Sequence, residues 1–275
     1  MIEPYLGTWD SRYAAPSWAK TLSGSIVYCR SFASGRAFRL DGLRATEDLT
    51  RLGDRLAAWK GGVGLTVLLH GEPGTGKSEF GGYLGYRMGR PLVYRRVSDC
   101  VSKWVGESEK LIAAAFRDAQ RDGAVLVFDE ADSFLRNREG ASQGWEVTQV
   151  NEFLQQLESF RGVVVCTTNL LSTLDPASLR RFVFKVGFRF AGPDEAMVLF
   201  SALLQPLIGT PPTQQDVAAF ASFAGRTHNL APGDFAAVAR RFRALGEPAS
   251  VAECIEALAG EVAVKRARQA AGFAR

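Results

Sequence analysis

The stretch from Leu65 to Ser78, LTVLLHGEPGTGKS, decides the fold. It begins with an apolar run of the length and composition of a strand buried on both faces. The residues from Gly71 to Ser78 fit the pattern G-x-x-x-x-G-K-[ST], and a helix-length segment follows them. Glycines in such a turn let backbone N–H groups surround phosphate oxygens, and the helix N-terminus adds partial positive charge. The stretch predicts a phosphate-binding loop.

Two side chains at the end of this loop carry most of its chemistry. Lys77 is expected to reach the β- and γ-phosphates, and Ser78 to ligate Mg²⁺. The competing interpretation is a glycine-rich turn with an incidental lysine, and the full match between a strand and a helix argues against it. The other candidate nucleotide-binding residues of the loop are Glu72, Pro73, Gly74, Thr75 and Gly76.

Further apolar runs indicate a parallel sheet, because strands covered on both faces read as nearly continuous hydrophobic segments. Helix-length segments separate them, which predicts an α/β domain with right-handed crossovers. The predicted strands are Leu65–His70, Pro91–Tyr94, Ala124–Asp129, Gly162–Thr167 and Phe184–Phe188. The predicted helices between them are Lys77–Gly89, Ser108–Asp122 and Glu146–Phe160.

After Phe190 the pattern is helical only, with breaks rich in Gly and Pro. This change predicts a small all-helical C-terminal domain. Its predicted helices are Pro193–Leu204, Gln214–Phe223, Gly233–Leu245 and Val251–Arg268. The N-terminal residues leave two alternatives open, since their aromatic side chains can pack on the α/β core or on another chain, and the segment IVYCRSF is a candidate strand.

A second acidic motif, VLVFDE from Val125 to Glu130, is a buried strand that ends in two carboxylates. Asp129 at the end of the strand can hold Mg²⁺, directly or through water, and Glu130 can take a proton from a water aimed at the γ-phosphate. Carboxylates in this place can also cap the next helix. The preceding phosphate loop favours the catalytic interpretation, with Asp132 in a supporting or capping role.

Composition excludes several other classes of protein. With 47% hydrophobic residues the chain can form a proper core, so neither a disulfide scaffold nor a disordered chain is indicated. The 33 Lys and Arg against 29 Asp and Glu favour an ordinary surface over a nucleic-acid-binding one. Four separated cysteines and two histidines disfavour a zinc site. No signal peptide or membrane span is evident, so we expect no membrane association and a cytoplasmic protein.

Five motifs stand in a characteristic order: GEPGTGKS, KWVGESEK, VFDEAD, VVVCTTN and LDPASLRRF. Between about Leu65 and Phe190 the chain thereby resembles the AAA family of the AAA+ ATPases. The resemblance implies a P-loop NTPase fold, with a three-layer parallel-sheet domain followed by a small helical lid domain. It divides the chain into an N-terminal extension (1–45), the large nucleotide-binding domain (46–190) and the lid (191–275). ATP and Mg²⁺ are the implied cofactors.

The resemblance also implies roles for three further residues. Asn169 stands where the family's sensor residue contacts the attacking water or the γ-phosphate. Arg180 and Arg181 stand where the family's arginine finger, an arginine that reaches the nucleotide of a neighbouring subunit, is found. Adjacent arginines depart from the spaced pair of many AAA proteins, so one can be the finger and the other structural, and the sequence does not assign them. A finger from a neighbour implies an oligomer, most often a homo-hexamer.

The segment KWVGESEK occupies the place of the family's pore loop, which points into the central channel. The resemblance makes Lys103, Trp104, Val105 and Gly106 candidates for gripping an extended polypeptide, because an aromatic side chain contacts any sequence and glycine lets the loop move. The alternative is that Trp104 plugs a gap in its own domain. In the lid, the helix start at Gly233 and Asp234 resembles the one that closes over adenine in this family.

These motifs predict an ATPase that remodels, unfolds or threads a protein substrate through a central pore. The alternative is an ATP-switched assembly or DNA-associated regulator that recruits a partner. Glu130 and the arginine pair argue against a pure switch because both serve hydrolysis. A third possibility is an adaptor for a separately encoded protease or nuclease. An adaptor or effector protein is a further expected partner, and nucleic acid is not favoured.

Overall fold

The computed structural model of the protein describes residues 39–102, 104, 106–135 and 144–272, with residues 144–146 and 268–272 described by backbone alone. Lys103, Val105 and the predicted N-terminal strand lie outside the described residues. The chain divides into two compact units. The α/β unit contains Glu47–Gly71 and Lys77–Gly187, and the helical unit contains Arg39–Thr46, Glu72–Gly76 and the described part of Phe188–Arg275. The predicted domain limits stay a prediction.

The sheet has six strands in the order β1-β6-β2-β5-β4-β3. Strand β2 pairs in parallel with β5, β5 with β4, and β4 with β3, whereas β1 is antiparallel to β6. The strands are β1 (Arg44–Ala45), β2 (Leu65–Gly71), β3 (Leu92–Arg96), β4 (Val125–Asp129), β5 (Val163–Thr168) and β6 (Phe184–Arg189). This order confirms the predicted α/β fold, with each predicted strand displaced at its ends by two residues or fewer.

Ten helices of the described chain connect and follow these strands. In the α/β unit they are α1 (Leu49–Ala57), α2 (Lys77–Arg87), α3 (Glu107–Asp122), α4 (Asp132–Leu135), α5 (Gly144–Ser159) and α6 (Pro176–Leu179). In the helical unit they are α7 (Pro193–Leu199), α8 (Gln214–Arg226), α9 (Pro232–Leu245) and α10 (Val251–Gly272). Helix α2 ends before the predicted Gly89, because that glycine takes a left-handed φ of 64° that an α-helix does not contain.

Packing of strand β4 in the core of the α/β unit determines the face to which its last residue points. Alternate residues of a strand point to opposite faces, and Phe128 is fully buried on the face that packs against α3 and α5. Its ring lies 5.1 Å from that of Phe153 and 5.5 Å from that of Phe116, measured between centroids. Asp129 follows directly and therefore points to the opposite face.

The helical unit has its own apolar core. Phe220 of α8 is fully buried and stacks on Phe200 at a centroid distance of 4.3 Å. The predicted helix Pro193–Leu204 is shorter than expected: α7 ends at Leu199, and Phe200–Leu204 form a π-helical turn. Pro206 follows closely and lacks the N–H that would continue a regular helix. Among the described helices, none has both the length and the apolar composition needed to cross a membrane.

Candidate active site

The carboxyl ends of three neighbouring strands bring polar side chains to one face of the sheet. In the parallel register Tyr94 lies opposite Val127, and Val127 lies opposite Val165. Because side chains alternate along a strand, Asp129 and Thr167 continue the face that Val127 and Val165 begin. Helix α2 covers this face, since a Cβ added to Gly81 would lie 3.5 Å from both valines.

Asp129 is the centre of this arrangement. Ser78 donates a hydrogen bond to its Oδ1 at 2.7 Å, and Thr167 donates to the same oxygen at 2.5 Å. Tyr94 donates its phenolic O–H to Oδ2. The fold thus brings together Ser78 and Asp129, the two residues predicted to ligate Mg²⁺, although they are 51 residues apart in sequence.

Glu130 follows Asp129 and has an exposed side chain. It is the single non-glycine residue of the described chain with a positive φ, at 57°. Left-handed backbone costs about 1–2 kcal/mol for an ordinary residue and has to be imposed by its surroundings. Thr167 imposes it: its Oγ1 accepts the Glu130 N–H at 3.0 Å, and its carbonyl accepts the Ala131 N–H at 2.8 Å.

Thr168, the next residue of β5, holds the neighbouring turn. Its hydroxyl donates to Asp132 and accepts the N–H of Leu170 at 3.0 Å. Asp132 therefore has the supporting role that was one of its predicted alternatives. Asn169 lies between these anchored residues, directly after the strand, and is exposed.

Lys77 begins α2 and is buried, with 6% of its surface exposed. Its ammonium donates to the carbonyl oxygen of Gly71 at 2.8 Å, across the turn of the phosphate loop. Burial lowers the pKa of the nearby His70 from its ordinary value, and the charge of Lys77 lowers it further. His70 is therefore biased towards the neutral form.

The remaining loop residues, Glu72–Gly76, belong to the helical unit. Thr75 closes the loop by donating its hydroxyl to the Glu72 carbonyl at 2.7 Å. The N–H of Gly233, in the first turn of α9, donates to the Gly74 carbonyl at 2.8 Å. A Cβ at Gly233 would lie 3.1 Å from the Cα of Gly74, so the approach of the two backbones depends on glycine.

The start of α9 is itself anchored by charge. Asp234 is buried and its Oδ2 accepts the N–H of Ala231 at 2.8 Å. The ammonium of Lys265, on α10, lies 2.5 Å from the same oxygen and also donates to the carbonyl of Asn229 at 2.6 Å. The last long helix thus fixes the helix start that contacts the phosphate loop.

The two candidate finger arginines have different surroundings. Arg181 lies 2.5 Å from Glu158 through its Nε and donates to the Ala177 carbonyl at 2.8 Å. Arg180 is exposed at the end of α6, and no ion pair to it is found among the described residues. The fold therefore engages Arg181 within its own chain and leaves the guanidinium of Arg180 accessible.

Trp104 is 77% exposed, which contradicts the alternative that it plugs its own domain. Its backbone is nevertheless held: its N–H donates to Ser102 Oγ at 3.2 Å, and its carbonyl accepts the Glu107 N–H at 3.2 Å. Gly106 takes a φ of 79°, which a side chain would disfavour. The backbone of Trp104 is thus held by hydrogen bonds while its indole is exposed.

The donor set at Asp129 fits Mg²⁺. This ion prefers oxygen ligands and is usually held by one or two carboxylates together with substrate phosphates. The Asp129 carboxylate and the Ser78 hydroxyl provide such oxygens side by side. Within the described residues no cluster of three or more His, Cys, Asp or Glu side chains that could hold a metal is found.

Comparison with known proteins gives the family of this site. Residues 67–190 match the model of the ATPase family associated with various cellular activities, AAA. These residues, a little under half of the chain, are an AAA domain. The predicted family resemblance and fold class are thereby confirmed.

Three curated relatives of this AAA protein differ in how much of it they match. Protein SAV of Sulfolobus acidocaldarius is 38% identical over 42% of this chain and 15% of its own length. Vacuolar protein sorting-associated protein 4 of Dictyostelium discoideum is 28% identical over 71% of this chain and 43% of its own length. Spastin of Drosophila virilis is 31% identical over 63% of this chain and 23% of its own length. The chain spans less than half the length of each of these relatives.

A solved structure gives a similar match. The FIGL-1 AAA domain in complex with ADP is 27% identical, with a TM-score of 0.53 over 64% of this chain and 59% of that one. The likeness agrees with the mostly parallel sheet and flanking helices described above.

Two residues of the AAA site, Tyr94 and Thr167, were not predicted from the sequence. Both contact Asp129, yet each stands in a strand-forming segment where a hydroxyl is unremarkable. A signal was present: strand alternation and a parallel register together place them on the face of Asp129.

Proposed function

We propose that this AAA protein is a Mg²⁺-dependent ATPase that works on a polypeptide as an oligomer. The observation that carries the ATPase assignment is the hydrogen bond between Ser78 of the phosphate loop and Asp129 at the end of β4, with Glu130 next to it. This contact supports a site in which phosphate-binding, metal-binding and base residues lie together at the carboxyl end of β4. The ADP complex of the FIGL-1 AAA domain supports an adenine nucleotide.

Each residue has a defined task in the proposed reaction. The backbone N–H groups of the loop and the Lys77 ammonium bind the phosphates. Asp129 and Ser78 would hold Mg²⁺, which when bound neutralises developing charge on the phosphate oxygens. Glu130 orients a water and takes its proton, and Asn169 hydrogen-bonds that water or the γ-phosphate. The anchored backbone of Glu130 fixes where the base projects.

Glu130→Gln tests the hydrolytic assignment. The variant keeps the shape of the side chain but removes the base, so we expect nucleotide binding to persist while turnover falls by about 10²–10⁴-fold. Steady-state phosphate release and fluorescent-ADP binding measure the two effects. Glu47→Gln, at an exposed glutamate of the same unit, is the matched control. Turnover near that of the wild type would refute Glu130 as the base.

The arginine that completes a neighbour's site is assigned to Arg180. An arginine finger has to extend beyond its own subunit, whereas Arg181 pairs with Glu158 and donates a hydrogen bond to the Ala177 carbonyl. Arg180 has no such partner among the described residues and its guanidinium suits transition-state charge. The assignment requires an oligomer, for which the family's hexameric ring is the proposed form.

Mixing of variants tests this assignment. Arg180→Ala and Lys77→Ala proteins should each be inactive alone, and the mixture should regain part of the ATPase, because an intact loop then meets an intact arginine. Arg161→Ala, at an exposed arginine of the same unit, should behave as the wild type. Absence of any recovery in mixtures that co-assemble by light scattering would refute action across subunits.

A polypeptide substrate is proposed from the outward display of Trp104. The indole is 77% exposed beside a backbone held by two hydrogen bonds, and aromatic faces contact extended chains of any sequence. Fluorescein-labelled unfolded casein should stimulate the wild-type ATPase. Trp104→Ala should lose this stimulation and keep the basal rate, and Trp104→Phe should retain part of it. Stimulation unchanged in Trp104→Ala would refute the loop as the grip.

A further inference from the structure

The carboxylate of Asp129 is held by hydroxyl groups on both of its oxygens. Ser78 and Thr167 donate to Oδ1, at 2.7 Å and 2.5 Å, and Tyr94 donates to Oδ2. Ser78 and Asp129 belong to the nucleotide motifs. Tyr94 belongs to neither, and it supplies the contact that restrains Oδ2.

The position of Tyr94 follows from the sheet. It lies on β3, the edge strand beside β4, opposite Val127 and two residues before the level of Asp129. A tyrosine is long enough to span this diagonal on one face of a sheet, where neighbouring side chains stay within reach of long residues. A phenylalanine would fill the same half-buried space, so the hydroxyl is not needed to form the strand.

The contact matters because a carboxylate that is held at one oxygen can still pivot about that oxygen. Mg²⁺ demands near-ideal octahedral geometry, and groups that hydrogen-bond a metal ligand commonly set how well that ligand is oriented. Two donors on Oδ1 fix that oxygen but leave the carboxylate able to pivot about it, which moves Oδ2. The donor on Oδ2 removes that freedom.

We propose that Tyr94 is a positioning residue for Asp129 and sets the Mg²⁺ dependence of nucleotide binding. This inference rests on the proposed Mg²⁺–nucleotide site. Its effect reaches the metal only through Asp129, so Tyr94 need not contact the nucleotide. Nucleotide binding without Mg²⁺ should therefore be indifferent to its hydroxyl.

The test is binding of fluorescent ADP as a function of Mg²⁺ concentration, with Tyr94→Phe beside the wild type. The variant should require about tenfold more Mg²⁺ to reach half of the Mg²⁺-induced change in ADP affinity. A shift of this size is typical when a group supporting a metal ligand is removed. Affinity measured in EDTA should be unchanged and serves as the check that the variant is folded. Tyr86→Phe, at an exposed tyrosine of α2, is the matched control.

A second arm asks whether Tyr94 acts through Asp129. In the Asp129→Asn background, Tyr94→Phe should add no further shift in the Mg²⁺ dependence. An additive shift, or a Tyr94→Phe protein with wild-type Mg²⁺ dependence, would overturn the inference. A wild-type protein whose ADP binding ignores Mg²⁺ would instead overturn the proposed function, so the two failures are distinguishable.

Discussion

The two ends of the phosphate loop are held by different kinds of contact. At Lys77 and Ser78, in the α/β unit, the contacts are made by side chains. The Lys77 ammonium donates to the Gly71 carbonyl, and the Ser78 hydroxyl donates to the Asp129 carboxylate. At Gly74, in the helical unit, the contact is between backbones, from the Gly233 N–H to the Gly74 carbonyl. The first end can be altered by removing one polar atom, whereas the second is altered by adding a methyl group.

The largest effect is expected at Gly76→Ala. A Cβ at this position would lie 2.6 Å from the Cδ2 of Leu43, on a backbone with a φ of 97° that side chains rarely adopt. We expect nucleotide affinity to fall by about 100-fold or more, equivalent to about 2.7 kcal/mol. Fluorescent-ADP titration measures it. Gly61→Ala is a sharp control, because Gly61 has a φ of 94° with open space around it.

At the side-chain end, Thr167→Val removes one buried hydroxyl while keeping the volume. The Glu130 N–H and the Asp129 Oδ1 each lose a partner, and an unsatisfied buried group costs about 1–3 kcal/mol. We expect kcat to fall by about tenfold or more while ADP affinity changes little. Steady-state ATPase assays separate kcat from KM. Thr167→Ser, which restores the hydroxyl, should recover most of the rate, and failure to recover would point to packing instead.

At the backbone end, Gly233→Ala tests whether the close approach to Gly74 contributes to binding. The added Cβ would lie 3.2 Å from the Gly74 oxygen, so one of the two backbones has to shift. We expect about a tenfold loss of nucleotide affinity, equivalent to about 1.4 kcal/mol, with a faster release of fluorescent ADP in stopped-flow experiments. Gly225→Ala, at a glycine of α8 with open space, should leave binding unaltered.

The smallest effect is expected at Lys265→Met, which keeps an unbranched side chain one atom shorter and removes its charge. Asp234 then loses a partially buried ion pair, and we expect the free energy of unfolding to fall by about 1 kcal/mol in urea titrations, discounted for the exposure of Lys265. A double-mutant cycle with Asp234→Asn isolates the pair. Additive losses would show that the two side chains do not interact.

Much of the fold was predictable because strong local patterns agree with the tertiary structure. The run Leu65–His70 and the run ending at Asp129 are strands within two residues of their predicted limits. Helix ends were less predictable where tertiary or backbone effects decide them, as at Gly89. The short β1 and α6 escaped prediction because a few residues carry no readable periodicity.

The candidate site was predictable where a motif is contiguous, and only in part where it is assembled from several strands. The phosphate loop, Asp129 and Glu130 stand in local patterns that indicate their chemistry. Tyr94 and Thr167 were missed because a lone hydroxyl in a strand has no local signature. The choice between Arg180 and Arg181 also stayed open, because it depends on Glu158, a partner 23 residues away.

The sequence by itself determined the family, the parallel α/β fold and the identity of the phosphate loop, because contiguous motifs encode backbone conformation and charge locally. The tertiary structure alone decided which side chains meet at Asp129, which arginine stays accessible and whether Trp104 faces outward. Those outcomes depend on strand register, helix packing and burial. The distances that decide them join residues remote in sequence, and local patterns cannot specify such distances.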